Sequence, residues 1–119
     1  MLVIGSGKVA SRRIETLKSF GADVIVISPE LNRKYEPGDI AEIKPLFVVA
    51  ATDDRQTNHD IMTEAKSLDI PVSVADNRNE CTFYFPAIAD SEQYIAGLVS
   101  KNGDHKGVKE LADKVREIF

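Results

Sequence analysis

Short apolar runs rich in β-branched residues alternate along this chain with segments in which apolar side chains recur at helical spacing. The runs occupy residues 1–4, 24–27, 46–51 and 70–75. Each is suited to a strand that is buried in a parallel sheet. Apolar side chains between positions 9 and 17 lie on one side of a helix that stops at Gly21. Asn58 and the apolar side chains between 61 and 68 lie on one side of another helix. This alternation predicts an α/β protein with a doubly wound parallel sheet.

The pattern is less regular elsewhere. Residues 94–100 are interpreted as a last strand of the chain, and residues 107–119 as an amphipathic helix with its apolar side chains on one face. Residues 31–45 are polar and show no helical face, although two successive parallel strands usually need a crossover helix. This crossover is therefore either an irregular loop or partly absent from the chain. A first strand that starts at Met1 also leads us to expect further residues upstream.

A glycine-rich turn follows the first strand without a spacer. Residues 5–10 read Gly-Ser-Gly-Lys-Val-Ala and match the G-x-G-x-x-A pattern of dinucleotide-binding units. Gly5 permits the tight turn, Gly7 lets a pyrophosphate approach the backbone, and Ala10 is small enough for helix and strand to pack together. The amides of the new helix would then face the phosphates. The alternative is a turn of purely structural use, but the flanking strands and helix favour a Rossmann-like nucleotide site.

Polar residues follow each of the predicted strands. In open parallel sheets, ligands bind outside the carboxyl ends of the strands. The residues that fall at those ends are Gly5, Ser6, Gly7, Ser28, Thr52, Asp53 and Asp76. We therefore expect one ligand cleft along this edge of the sheet.

Composition narrows the functional classes. The 119 residues are 43% hydrophobic and 29% charged, which fits an ordinary globular domain with a real core. A net charge of −4 with scattered basic residues argues against a nucleic-acid surface. No apolar run is long enough for a bilayer, so we expect a cytoplasmic protein that does not associate with membranes. Cys81 is the only cysteine, and no Cys/His spacing resembles a metal site.

Several motifs together resemble a known family. They are the glycine-rich turn, Val-Ile-Ser-Pro at 26–29, Val-Ala-Ala-Thr-Asp-Asp at 49–54 followed by Asn58, Val-Ala-Asp at 74–76, and Phe-Tyr-Phe-Pro-Ala-Ile at 83–88. In this order they look like the siroheme synthase N-terminal domain family, the NAD-dependent precorrin-2 dehydrogenases. The resemblance runs from Leu2 to Phe119, except for the crossover. These motifs are far more specific than the glycine-rich turn alone.

The resemblance implies a reaction, a cofactor and a set of site residues. The family oxidises precorrin-2 to sirohydrochlorin with NAD, and some members insert ferrous iron, so Fe²⁺ is a further candidate substrate. The NAD ligands implied for this sequence are Gly5, Ser6, Gly7, Lys8, Val9, Ser28, Pro29, Glu30, Thr52 and Asp53. The implied catalytic residue is Asp76, and no residue is implied as a metal ligand. Glu30 favours NAD, whereas the nearby Arg33 and Lys34 leave NADP open.

Three roles are open for Asp76. A carboxylate at a strand end could take the proton that leaves when a hydride passes to nicotinamide. It could instead guide Fe²⁺ or accept pyrrole protons during metal insertion. The structural alternative is that Asp76 caps the turn at Asn77, as Asp-Asn pairs after strands often do.

The family also differs from this chain at its C-terminal end. Its loop Ser-x-Gly-Gly-x-Ser-Pro is replaced by residues 100–106, which keep one glycine, Gly103, and lack the Ser-Pro. The family carries a helical dimerisation region beyond the final helix, which we expect to be absent after Phe119. We thus expect an NAD-binding Rossmann-like domain over residues 1–100, a linker and the start of the C-terminal helical region over 101–119, and a homodimer.

Two functions of different class are compatible with the sequence. The first is NAD-dependent dehydrogenation of precorrin-2 to sirohydrochlorin in siroheme biosynthesis, with ferrochelatase activity left open. The second is a regulatory domain that binds NAD without chemistry. A chelatase without a redox role is a further alternative. Turnover that depends on Asp76 distinguishes the first from the second.

Overall fold

The computed structural model describes residues 1–119 and contains two compact units, Met1–Phe83 and Tyr84–Phe119. The first unit is built on four short strands: β1 (Leu2–Ile4), β2 (Ile25–Ile27), β3 (Val48–Ala50) and β4 (Val72–Val74). They form one parallel sheet in the order β2-β1-β3-β4. The chain thus moves outwards from β1 to β2 and returns past β1 to β3 and β4. This is the predicted Rossmann-like, doubly wound arrangement, which is confirmed.

Three helices connect these strands. They are α1 (Lys8–Ser19), the short α2 (Asp39–Ile43) and α3 (Arg55–Ser67). The core is formed by strand residues such as Leu2, Ile4 and Val48, which pack with Ile40 of α2 and Ile61 of α3, all at most 1% exposed. The predicted strand and helix positions in this unit are therefore confirmed, and the strands are shorter than the apolar runs that indicated them.

The crossover between β2 and β3 is held by polar contacts in addition to the packing of Ile40 in the core. After β2 the chain forms a 3₁₀ turn, Pro29–Leu31, and an irregular stretch before α2. Glu64 of α3 accepts hydrogen bonds from the Tyr35 hydroxyl at 2.5 Å and from the backbone amides of Gly38 at 3.1 Å and Ala41 at 3.0 Å. One carboxylate thus ties the crossover to α3. The expectation that residues 31–45 show no helical face is wrong for residues 39–43, because α2 places Ile40 in the core.

The second unit is a β-hairpin with a helix. Strands β5 (Ala87–Asp90) and β6 (Ile95–Leu98) pair antiparallel, and α4 (His105–Ile118) follows. The strand predicted within 94–100 is β6, and it pairs with β5 instead of joining the parallel sheet, because the short connection after β5 can close a hairpin but cannot make a parallel crossover. Helix α4 begins two residues before its predicted start, since the Asp104 carboxylate accepts a hydrogen bond from the Gly107 amide at 2.9 Å and caps it. The unit boundary lies before β5, and the predicted domain boundary after residue 100 stays a prediction.

None of the helices combines the length and the apolar character that crossing a membrane requires.

Candidate functional site

The carboxyl ends of the parallel strands meet at one edge of the first unit. Ile4 of β1 lies level with Ile27 of β2 and with Ala50 of β3, and Ala50 lies level with Val74 of β4. Whatever follows these residues is therefore brought to the same edge. The order of the sheet reverses between β1 and β3, and such a switch point is where open α/β sheets bind ligands.

A cleft of about 470 Å³ opens at this edge. Five of the predicted cofactor ligands line it: Gly5, Ser6, Pro29, Thr52 and Asp53. The rest of the lining consists of Ile4, Ile27, Arg33, Lys34, Tyr35, Asp54 and Thr57. The cleft has an apolar floor from the strand ends and a rim that carries charges of both signs.

Gly5 allows the glycine-rich turn to pack against the end of β3. Its backbone amide donates to the Ile27 carbonyl at 2.9 Å, and its φ of +139° is unfavourable for other residues. A Cβ at this position would lie 2.1 Å from the carbonyl oxygen of Ala51. The first glycine of the motif is therefore required by the protein's own backbone.

Gly7 has a different environment. Its φ is +101° and its ψ is −172°, a region used almost only by glycine, yet a Cβ there would meet no atom within 4 Å. Gly7 is also the N-cap of α1, where no side chain caps the helix and no acidic residue lies in the first turn. The open space and the free amides at the start of a long helix fit the pyrophosphate of a dinucleotide.

Lys8 and Val9 form the first turn of α1. Lys8 lines an open groove beside the helix, together with Gly7, Ser11, Arg12 and Glu15. Val9 is half-buried and lines neither the groove nor the cleft. Any contribution of Val9 to a ligand would therefore come from its backbone amide.

The loop after β3 is held in place by a buried amide. Asn58 of α3 is 0% exposed, and its Oδ1 accepts hydrogen bonds from the Thr52 amide at 3.1 Å and the Thr52 hydroxyl at 2.5 Å. Its Nδ2 donates to the Thr52 carbonyl at 3.1 Å. Sequence reasoning placed Asn58 only on the core face of a helix and in the family motif. Its polar character at a buried position is the signal for this role.

Asp54 and Thr57 complete the rim on this side. The Thr57 hydroxyl donates to Asp54 Oδ2 at 2.5 Å, and this hydrogen bond lowers the pKa of the Asp54 carboxyl below its ordinary value. The pair lies at the start of α3, where a negative charge is favourable.

The residues after β2 fall into two sets. Ser28 is buried, and its hydroxyl accepts a hydrogen bond from the Glu30 amide at 3.1 Å, so it caps the 3₁₀ turn. Glu30 is exposed and does not line the cleft. Arg33 and Lys34, by contrast, do line it. Cofactor contacts from Ser28 and Glu30 stay predictions.

Asp76 lies in the turn after β4 and is held by an ion pair. Arg55, the first residue of α3, donates from Nη1 to Asp76 Oδ1 at 2.7 Å and from Nη2 to Glu80. Glu80 in turn contacts Nδ1 of His59 at 2.7 Å. The Asp76 side chain is 38% exposed and is not part of the lining of the cleft.

In the turn after β4, different side chains cap the 3₁₀ turn and pair with Arg55. The cap of the 3₁₀ turn Arg78–Glu80 is the Asn77 side chain, which accepts a hydrogen bond from the Asn79 amide at 3.0 Å. The Asp76 carboxylate is engaged with Arg55 instead. Sequence reasoning missed Arg55 and Glu80, because two positions far apart along the chain give no periodic signal.

The chain matches a family and several proteins of known name. Residues 1–87 match a family model described as "Putative NAD(P)-binding". The chain is 42% identical to the "Probable multifunctional siroheme biosynthesis protein HemA" of Ruminiclostridium josui, in an alignment covering 99% of this chain and 26% of that protein. It is 35% identical to a "Siroheme synthase" of Methylobacillus flagellatus, covering 83% of this chain and 24% of the other.

A solved structure gives the same fold. The structure named "SirC, precorrin-2 dehydrogenase" has a TM-score of 0.75 and 21% sequence identity, and the match covers 99% of this chain and 65% of that chain. The chain spans about a quarter of the length of the two curated relatives. These names agree with the family that the sequence motifs indicated, and the resemblance is confirmed.

Proposed function

The chain belongs to the NAD(P)-binding family whose model matches residues 1–87, and from this premise we propose that it binds NAD and supports the dehydrogenation of precorrin-2 to sirohydrochlorin in siroheme biosynthesis. The observation that carries the proposal is the cleft at the switch point of the sheet, with Gly5 and Gly7 at the turn that opens α1. The names of the relatives supply the substrate class.

Different residues of the cleft would bind different parts of the dinucleotide. The free amides at the start of α1 and the open space at Gly7 would hold the pyrophosphate. Thr52 and Asp53 would line the path of the dinucleotide, and Asn58 fixes the conformation of Thr52. When bound, NAD supplies a nicotinamide ring that accepts a hydride.

Asp76 would accept the proton that the substrate loses as the hydride departs. Its Oδ1 is occupied by Arg55, which leaves Oδ2 as the proton acceptor. Arg55 would hold the carboxylate in one orientation, and Glu80 would fix Arg55 from the other side. Removal of a hydride and a proton together oxidises the substrate by two electrons.

The test combines binding and turnover on the purified chain. We expect NAD to bind with a heat that calorimetry can measure. We also expect precorrin-2 to be converted to sirohydrochlorin, and the absorbance of sirohydrochlorin follows the reaction. Asp76→Asn should bind NAD as the unaltered chain does and lose turnover by at least about a hundredfold, the range for a general base. Asp23→Asn is the matched control, because Asp23 is exposed and precedes β2 at the opposite edge of the sheet.

The outcomes separate the candidate functions. NAD binding without conversion of precorrin-2 would overturn the enzymatic proposal and favour the regulatory alternative. Insertion of Fe²⁺ into sirohydrochlorin without NAD would favour the chelatase. A homodimer, Fe²⁺ as a substrate and a cytoplasmic location stay predictions from the sequence.

A further inference from the structure

The charged residues on the rim of the cleft are sorted by sign. Arg33 and Lys34 line it beyond the end of β2, next to Pro29, whereas Asp53 and Asp54 line it beyond the end of β3. Strand β1 lies between β2 and β3, so the two sets follow strands about 10 Å apart, twice the usual spacing of neighbouring strands. The cations that line the cleft therefore lie on its β2 side, on a chain whose net charge is −4.

Arg33 is anchored before any ligand arrives. Its Nη2 donates to Asp39 Oδ1 at 3.2 Å, and the Asp39 side chain is buried, while the Arg33 side chain is 49% exposed. Asp39 Oδ2 also accepts a hydrogen bond from the Glu36 amide at 2.8 Å, which fixes the carboxylate. A guanidinium has five N–H donors in a rigid fork, so this contact leaves most of them for an anion.

Lys34 adds a charge that the protein does not neutralise. It is exposed and forms no ion pair within the structure. Two adjacent cations, one of them hydrogen-bonded to Asp39, form a site suited to a phosphate group.

Glu30, whose carboxylate would disfavour a bound phosphate, lies outside the lining of the cleft. In dinucleotide-binding domains, an acidic residue after the second strand bonds the ribose hydroxyls, whereas an arginine nearby accommodates a 2′-phosphate. Glu30 is the acidic residue after β2, and it is exposed and does not line the cleft. The Ser28 hydroxyl is already engaged by the Glu30 amide.

From these observations we infer that Arg33 and Lys34 form a subsite for the 2′-phosphate of NADP, so that the cleft takes NADP at least as readily as NAD. This rests on the proposed function, because it requires the same dinucleotide cleft. It adds a specificity determinant that lies on the crossover, outside the glycine-rich turn.

The test is calorimetric titration of the full chain with NAD and NADP, and with the fragments ADP and adenosine 2′,5′-bisphosphate, which differ at the 2′ position. We expect NADP to bind at least as tightly as NAD, and the bisphosphate to bind more tightly than ADP. Lys34→Ala and Arg33→Ala should each weaken NADP by about tenfold, as loss of a charge-assisted contact does, and leave NAD within about twofold. Lys18→Ala, on an exposed lysine in the last turn of α1, should change neither affinity.

Arg33→Ala leaves Asp39 without its ion pair, and this variant could fail to fold. Lys34→Ala then tests the inference, because Lys34 has no ion pair to lose. The inference would be overturned if NADP bound more than tenfold more weakly than NAD. It would also be overturned if the variants lost affinity for NAD and NADP equally. Either result would leave the proposed function intact. Failure of both nucleotides to bind would overturn the two together.

Discussion

Asn58 holds Thr52 through both ends of its side-chain amide. Oδ1 accepts from the Thr52 backbone amide and Nδ2 donates to the Thr52 carbonyl, each at 3.1 Å, and the Asn58 side chain is fully buried. The loop that lines the cleft after β3 is thus fixed by the helix that follows it.

Replacement of Asn58 by alanine should destabilise the chain and weaken dinucleotide binding. The change leaves the backbone polar groups of Thr52 without their partners, and we expect a loss of about 3 kcal/mol in the free energy of unfolding. Urea denaturation measures the stability, and calorimetry measures the affinity. Asn79→Ala, on an exposed asparagine of the β4 turn, should cost less than about 0.5 kcal/mol. Equal effects of the two variants would contradict the role of Asn58.

The two glycines of the turn should respond differently to alanine. Gly5→Ala places a methyl group 2.1 Å from the Ala51 carbonyl oxygen, so we expect a loss of about 3 kcal/mol or more, or no folded protein. Gly7→Ala meets no protein atom, so backbone strain alone should cost about 2 kcal/mol. Its methyl group would occupy the space assigned to the pyrophosphate, and dinucleotide affinity should fall.

Gly21 provides the control for backbone strain. It has a φ of +82° with no atom within 4 Å of an added Cβ, and it lies beyond the end of α1. Gly21→Ala should therefore lower stability without changing dinucleotide affinity. A Gly7→Ala variant that binds NAD as tightly as Gly21→Ala would contradict the phosphate site.

Arg55 should act on turnover through Asp76. Arg55→Met removes the contact at 2.7 Å that orients the carboxylate, and we expect turnover to fall about tenfold with NAD affinity unchanged. Arg55→Lys should recover part of the rate, because one hydrogen bond to Asp76 can form. In the Asp76→Asn background, Arg55→Met should have no further effect on turnover. An additive loss in that double variant would show that Arg55 acts independently of Asp76.

Tyr35 should make the chain sensitive to alkaline pH. Burial, followed by the hydrogen bond to Glu64, raises the pKa of Tyr35 above its ordinary value of 10.0. A group whose folded pKa is raised contributes stability that is fully present below the unfolded pKa and is lost as the pH rises through the folded value. Stability should therefore fall as the pH rises above about 10.

Tyr35→Phe tests this dependence by urea unfolding between neutral and alkaline pH. At neutral pH the variant should be less stable by about 1 kcal/mol, the net value of one hydrogen bond, since Glu64 keeps the amides of Gly38 and Ala41. Its further loss at high pH should be smaller than that of the unaltered chain. Tyr94→Phe, on an exposed ring, should retain the full alkaline loss. An unchanged alkaline profile in Tyr35→Phe would contradict the assignment.

Local patterns were sufficient for the parallel sheet and for part of the site. The apolar runs and the glycine-rich turn are contiguous in sequence, so their periodicity and spacing alone identify β1 to β4, α1, α3, Gly5 and Thr52. The carboxyl-end rule then brings the loops after β1, β2 and β3 to one cleft.

These patterns did not predict the hairpin or the contacts of the crossover, for different reasons. The run at 94–100 is strand-like whichever partner it takes, and only the pairing with β5 decides its direction. The crossover depends on Glu64 and Asp39, polar side chains whose partners carry no periodic signal.

By itself, then, the sequence determined the strand–helix order, the dinucleotide turn at Gly5 and Gly7 and the family resemblance, because each is written in contiguous residues. Only the tertiary structure decided that Asn58 holds Thr52, that Arg55 pairs with Asp76 and that Arg33, rather than Glu30, lines the cleft. Those relationships depend on hydrogen-bond geometry and burial between residues brought together by the fold, which a pattern of hydrophobic and polar positions does not encode.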